Sequence, residues 1–255
     1  MRLGFLGIGR IATSVIKGLC TSSIEDVTIH ISPRNEENSK SLAAAFPNVH
    51  RLESNQEVLD NSDYIFIALP ASNAVEVLKG LKFRNDHNVV SFIAFLKYDA
   101  LAHAVEPAKK VGRAIPLPTV EKHNCPIPVF KSDKTVVQIL EHIGKPIVIE
   151  DETELHAIWT LTGLIAPFFD LCGTLSDWAK TKGVNPEVAN PYILDMYCSL
   201  ASPSPQGGTP NFDGLKEEAT TPKGMNEQAL KMIQSEEAHE VYRNALEAIM
   251  SRFDD

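Results

Sequence analysis

The stretch that most constrains this chain is its first nineteen residues, M-R-L-G-F-L-G-I-G-R-I-A-T-S-V-I-K-G-L. Leu3 to Leu6 is an apolar run too short for a helix and suited to a buried strand. It leads directly into Gly7-Ile8-Gly9-Arg10-Ile11-Ala12, and then into Ile11, Val15, Ile16 and Leu19 at helical spacing. A strand, a glycine turn and a helix in this order make a dinucleotide-binding unit. Gly7 permits the tight turn, Gly9 lets the backbone approach a pyrophosphate, and Ala12 lets the helix lie close to the strand. The anion would rest on the free N–H groups of the helix N-terminus, where the dipole favours negative charge. Glycines also end strands for structural reasons alone; the position between strand and helix is what favours the binding reading.

After this unit, apolar segments at 27–31, 49–52, 64–69 and 89–94 read as strands, with weaker candidates at 112–115 and 128–130 and a better one at 145–149. Helical stretches between them, through Ala45 and from Ala71 to Leu81, imply parallel βαβ units. The fold class expected is therefore α/β, an N-terminal Rossmann-type doubly wound parallel sheet covered on both faces. From Glu150 onward only helical periodicity remains. The expected division is a dinucleotide-binding domain over 1–150 and an all-helical dimerisation and substrate domain over 151–255.

Charge follows the same division. Residues 1–150 hold 17 Lys and Arg against 16 Asp and Glu, whereas residues 151–255 hold 7 against 17. The near-neutral half tolerates an anionic cofactor, and the net charge of −9 argues against a nucleic-acid partner. Leu155 to Cys172 is apolar, but His156, Pro167 and Asp170 within it and the acidic residues before it speak against a membrane span. An apolar helix in a domain of this size is expected at a dimer interface. Phe168, Phe169, Trp159 and Trp178, at helical spacings, read as core, and the segment from Ser202 to Gly214 reads as an exposed loop. Four scattered cysteines fit reduced thiols and a cytoplasmic location. The eight histidines show no metal-ligand spacing, so no metal is expected; His156 reads as a satisfied core or interface residue.

The end of the second strand decides between NAD and NADP. Here it reads His30-Ile31-Ser32-Pro33-Arg34-Asn35, without a carboxylate until Glu36. Ser32 and Asn35 offer hydrogen bonds, and Arg34 offers a charge-assisted pair to a 2′-phosphate. The plainer reading makes Arg34 a solvated loop residue and Ser32 a helix cap. The segment points to NADP, with NAD as the alternative.

Several segments together resemble the pyrroline-5-carboxylate reductase family. Beyond the opening unit these are Ser54-Asn55-Gln56-Glu57-Val58, Ala68-Leu69-Pro70, Ser91-Phe92-Ile93-Ala94, Arg113-Ala114-Ile115-Pro116-Leu117-Pro118-Thr119, Leu161-Thr162-Gly163 through Ala166-Pro167-Phe168, and Ala219-Thr220-Thr221-Pro222-Lys223-Gly224-Met225-Asn226. The resemblance implies cofactor contacts at Asn55, Ala68, Leu69, Pro70, Ala94 and Pro116, besides the glycine turn. It implies a homodimer or larger assembly through the C-terminal helices, with the active site between the domains. It places Thr220, Thr221, Lys223, Gly224, Met225 and Asn226 at the substrate, with Thr221 and Asn226 as the groups nearest the chemistry. The activity implied is NADP-dependent reduction of a C=N bond in a small cyclic imine carboxylate, of the proline-biosynthesis type. The chain departs from the family pattern where Phe95 and Lys223 replace glycines, Leu117 replaces an asparagine, and Met225-Asn226 replace two threonines. Thr220 and Thr221 also suit the capping of a helix starting near Met225. Two other readings are a non-catalytic dinucleotide sensor and a deazaflavin-dependent NADP oxidoreductase.

Overall fold

The computed structural model describes residues 1–201 and 209–253. The elements follow in the order β1 (Arg2–Leu6), α1 (Arg10–Thr21), β2 (Thr28–Ile31), α2 (Glu36–Ala45), β3 (Val49–Arg51), α3 (Asn55–Asn61), β4 (Tyr64–Ile67), α4 (Ala74–Lys79), β5 (Asn88–Ser91), α5 (Tyr98–Ala104), β6 (Lys110–Ala114), β7 (Pro126–Phe130), α6 (Lys134–Glu141) and β8 (Lys145–Ile149). They build one eight-stranded sheet, ordered β3-β2-β1-β4-β5-β6-β7-β8. Side chains alternate between its faces. Leu3, Phe5 and Phe66 join α1 and α6 on one face, while Leu6, Ile65 and Ile67 join α3, α4 and α5 on the other. Each such buried side chain contributes roughly 1.5–3 kcal/mol to the core.

One pair departs from the parallel pattern: β7 runs antiparallel to β6, with Arg113 opposite Phe130 and Ala114 opposite Val129. The residues between them form only a 3-10 turn, Pro118–Lys122, too short for the crossover a parallel pair needs. Pro126 and Pro128 made this strand hard to read in sequence. Ile115 N–H donates to the Pro128 carbonyl, so Pro128 turns its missing N–H toward the β6 side, where the ladder is shortest.

Two compact units are present. The first covers Met1–Trp159 and the second begins at Thr160. The early turns of α7 (Glu152–Leu161) therefore pack with the sheet, because Leu155 is fully buried among Ile115, Phe130 and Ile149.

The second unit holds α8 (Ile165–Thr181), α9 (Pro186–Leu200), α10 (Phe212–Ala219), α11 (Met225–Ser235) and α12 (Ala238–Met250). Residues 202–208 of the loop expected before α10 lie outside the described residues; the part from 209 to 213 is exposed. The helical run Glu152–Thr181 is long and apolar enough to cross a membrane by length and composition. Its aromatic residues correct a sequence expectation: Phe169 and Trp178 are 59% and 63% exposed, and Phe168 is also exposed rather than core. Among the described residues, much of the apolar surface of this run is left uncovered within the single chain.

Candidate functional site

The strand order reverses between β1 and β4, which makes the loops after these strands a topological switch point, the usual ligand site of such sheets. Gly7 sits there at φ +89°, and a Cβ on it would lie 2.6 Å from the Ala68 carbonyl oxygen. Only glycine satisfies both constraints. Gly9 is the N-cap of α1, with no acidic residue in its first turn and, among the described residues, no side chain capping the helix and no atom within 4 Å of an added Cβ. Open space over uncapped N–H groups is the feature a pyrophosphate requires. Ala12 and Ile8 are buried, and the Ile8 carbonyl accepts from Asn38 Nδ2 at 2.9 Å.

Beside the turn lies a cleft of about 270 Å³ walled by Gly9, Arg10, Ile11, Ala68, Leu69 and Ala94, together with Phe92 and Phe95. Six residues expected at a cofactor from sequence thus meet in one place. Pro70 is exposed just beyond them, Asn55 begins α3 half-buried, and Pro116 is buried after β6. All follow the carboxyl ends of strands. Ser32 is fully buried and accepts the Gly7 N–H at 2.9 Å, so its hydroxyl braces the turn. It does not cap α2; Asn35 does, accepting the Asn38 N–H at 3.2 Å. Arg34 is exposed, and the first carboxylate after it, Glu36, pairs with Lys40.

The loop of the helical unit is also well defined. Thr220 closes α10, its hydroxyl donating to the Lys216 carbonyl at 2.6 Å. A turn follows, in which Gly224 N–H donates to the Thr221 carbonyl. The N-cap of α11 is Gly224 without a side-chain cap, so neither threonine caps that helix. Thr221, Lys223, Met225 and Asn226 are exposed, and Asn226 Nδ2 donates to the Ala219 carbonyl at 2.9 Å. Glu227 accepts from the Lys231 ammonium and from the Lys223 N–H, and these bonds, the Lys231 one foremost, hold its carboxyl below the usual range. Lys223 has φ +63° and Phe95 has φ +60°. Both stand where the resemblance expects glycine, and both keep a left-handed backbone that glycine adopts more easily, at a cost of about 1–2 kcal/mol each.

Sequence reasoning passed over a buried cluster at Arg113. This guanidinium is fully buried on β6; its Nη1 donates to Glu152 Oε1 at 2.5 Å and to His156 Nε2 at 2.8 Å. Accepting that bond puts the His156 proton on Nδ1. Glu152 also accepts the Tyr98 N–H at 2.7 Å. Arg113 Nε and Nη2 find no hydrogen-bond acceptor among the described residues, and the guanidinium lies 5.1 Å from the Trp159 ring centroid. Burial lowers the Arg113 pKa and the Glu152 carboxylate opposes that shift. The cluster joins β6, α5 and α7. Its only sequence signal was an arginine inside an apolar strand followed at a distance by Glu and His one helical turn apart. Among the described residues, no group of three His, Cys, Asp or Glu side chains is placed to hold a metal ion.

The model of the NADP oxidoreductase, coenzyme F420-dependent, family matches residues 2–95, and that of pyrroline-5-carboxylate reductase dimerisation matches residues 152–255. A pyrroline-5-carboxylate reductase of Pseudomonas aeruginosa is 22% identical, the alignment covering 98% of this chain and 95% of the relative. Pyrroline-5-carboxylate reductase 2 of Bacillus subtilis is 24% identical, over 98% and 93%. Among solved structures, the Plasmodium falciparum pyrroline carboxylate reductase with NADP bound superposes with a TM-score of 0.85 at 18% identity, covering 99% of this chain and 97% of that one. The Streptococcus pyogenes enzyme gives 0.85 at 17% identity, over 99% and 98%. The two structural likenesses establish the shared fold. Both halves are matched in order and the relatives align over nearly their full length, findings that together support a member of the pyrroline-5-carboxylate reductase family.

Proposed function

We propose that this protein is an NADP-dependent oxidoreductase that reduces the C=N bond of a small cyclic imine carboxylate, the pyrroline-5-carboxylate reductase reaction of proline biosynthesis. The observation that carries the reading is the glycine turn at the switch point, open at Gly9 and uncapped at α1, on a chain whose second half is a dimerisation domain of that family. The pyrophosphate rests on the N–H groups of Arg10, Ile11 and Ala12. Arg34 and Asn35 take the 2′-phosphate end, Asn55, Ala68, Leu69 and Pro70 border the dinucleotide, and Ala94 and Pro116 flank its nicotinamide end. In the helical unit, the Thr221 hydroxyl or the Asn226 amide contacts the imine nitrogen, the oxygen of either being able to accept from the N–H of its protonated form; donors of the same loop hold the carboxylate, and Lys223 supplies a cation for it. Thr220, Gly224 and Met225 shape that loop.

The chemistry needs no strong base. A cyclic imine is protonated readily, and NADPH, when bound, supplies a hydride to the resulting iminium carbon. The chain's contribution is to orient the reactants and exclude water, which lowers the barrier by pre-arranging them. The four scattered cysteines suit a reducing, cytoplasmic setting. The F420-dependent match stops at residue 95 and leaves the helical half to the imine-reductase reading.

The test is NADPH oxidation against a panel of five- and six-membered cyclic imine carboxylates. Turnover of at least one member is expected. Intact NADPH binding with no turnover across the panel replaces the reading with a dinucleotide sensor.

A further inference from the structure

The last strand, β8, is an edge whose outer side carries no strand among the described residues. Lys145 N–H donates to the Cys125 carbonyl, and in a parallel pair donors alternate sides along the strand. Lys145, Ile147 and Ile149 therefore bond to β7, while Pro146 and Val148 turn their backbone groups outward and Glu150 follows at the bend that ends the strand. Pro146 places its absent N–H on that outer side, so the β7 ladder loses nothing to it. Edge strands are normally shielded by charge or by a covering element. Beyond Lys145 this one offers Ile147 at 40% and Val148 at 61% exposure.

We infer that the open edge of β8 pairs antiparallel with β8 of a second copy of this chain, across a two-fold axis at Val148, joining two eight-stranded sheets into one. The outward groups are self-complementary under that symmetry, as an isologous contact requires. Val148 faces Val148 of the second copy and exchanges two N–H···O bonds with it. Glu150 N–H then meets the Pro146 carbonyl on each side. The same register brings Lys145 toward Asp151, a charge of opposite sign just past the end of the strand, whose Oδ1 accepts the Thr153 and Glu154 N–H groups. The occupant is a second copy because β8 ends three residues before the segment that the dimerisation model matches, so the edge is continuous in sequence with a self-association domain. The inference rests on the dimer implied by that match.

The test uses the full-length chain. Val148→Pro removes the outward N–H without touching the β7 ladder, and Val148→Thr keeps it. Sedimentation velocity should show the dimer Kd raised about tenfold or more by Val148→Pro and little changed by Val148→Thr, as the loss of two hydrogen bonds dictates. Unchanged near-ultraviolet circular dichroism and NADPH binding check that the variant is folded. Two further readouts do not depend on the proline. The Val148 amide should be protected from hydrogen exchange in the wild-type dimer. Val148→Cys should form a disulfide-linked dimer under mild oxidation where the wild type, with its native cysteines, does not, since hydrogen-bonded antiparallel partners have Cα atoms about 5.5 Å apart, within disulfide reach. A wild-type dimer with a fast-exchanging Val148 amide and no Val148→Cys cross-link overturns the edge pairing and leaves the dimer standing. A chain that stays monomeric at all concentrations overturns both, while imine turnover is scored separately.

Discussion

At the scale of single residues, two kinds of position carry the cofactor reading, and they differ in how sequence exposes them. Gly7 is fixed by backbone geometry, because its φ of +89° and the nearby Ala68 carbonyl admit no side chain, and such a glycine can be read directly from a strand-turn-helix pattern. Ser32 was legible as a polar residue at the right place, but its partner, the Gly7 N–H 25 positions away, became visible only after β1 and β2 were paired. Arg34 is a matter of charge. Replacing Arg34 with Asp should raise the Michaelis constant for NADP by roughly ten- to a hundredfold, the worth of a charge-assisted hydrogen bond, and that for NAD by less than about threefold. Steady-state kinetics with both cofactors checks it, and equal effects on the two would remove Arg34 from the site.

Among the elements, α7 shows how a buried ion pair places a helix. Glu152 in its first turn and His156 one turn later both accept from Arg113, which has no solvent exposure. Cutting Glu152 back to alanine leaves a buried guanidinium short of its counter-charge. The expected loss of stability is about 2–3 kcal/mol, below the usual figure for a fully buried pair because Glu152 is partly exposed. Glu152→Gln retains an acceptor and should lose less. Urea denaturation measures both, and an unchanged midpoint for Glu152→Ala would show that Arg113 is satisfied without it. The sequence did not disclose this cluster because its members are 39 and 43 residues apart and only the packing of α7 on β6 unites them. The β7 strand was obscured for a different reason. Its prolines argue against a central strand, and only the short antiparallel ladder explains how they are tolerated.

For the whole molecule, two histidines, His87 buried and His30 half-buried, set a pH dependence. His87 has no solvent exposure; its Nδ1 accepts the Arg84 N–H, so its Nε2–H donates to the Leu59 carbonyl. Burial, reinforced by Arg84, lowers its pKa from 6.5, and burial and His50 lower that of His30. The unfolded chain therefore binds protons before the folded one does, so stability is complete above about pH 6.5 and is lost as pH falls below it. Thermal melts should show a declining Tm from pH 6.5 toward 5, with a shallower decline in His87→Gln. Identical slopes for the two proteins would assign the acid sensitivity elsewhere. The sequence by itself determined the α/β class, the dinucleotide turn, the change to helices after Glu150 and the family resemblance, because glycine spacing and hydrophobic period are local properties that survive without knowledge of neighbours. It could not determine which face of an apolar helix is covered, and so misread Phe168, Phe169 and Trp178 as core. The tertiary structure alone decided the antiparallel turn at β7, the Arg113 cluster and the outward phase of β8. Each of these depends on which distant segment lies alongside, and strand pairing and burial exist only once the chain has folded on itself.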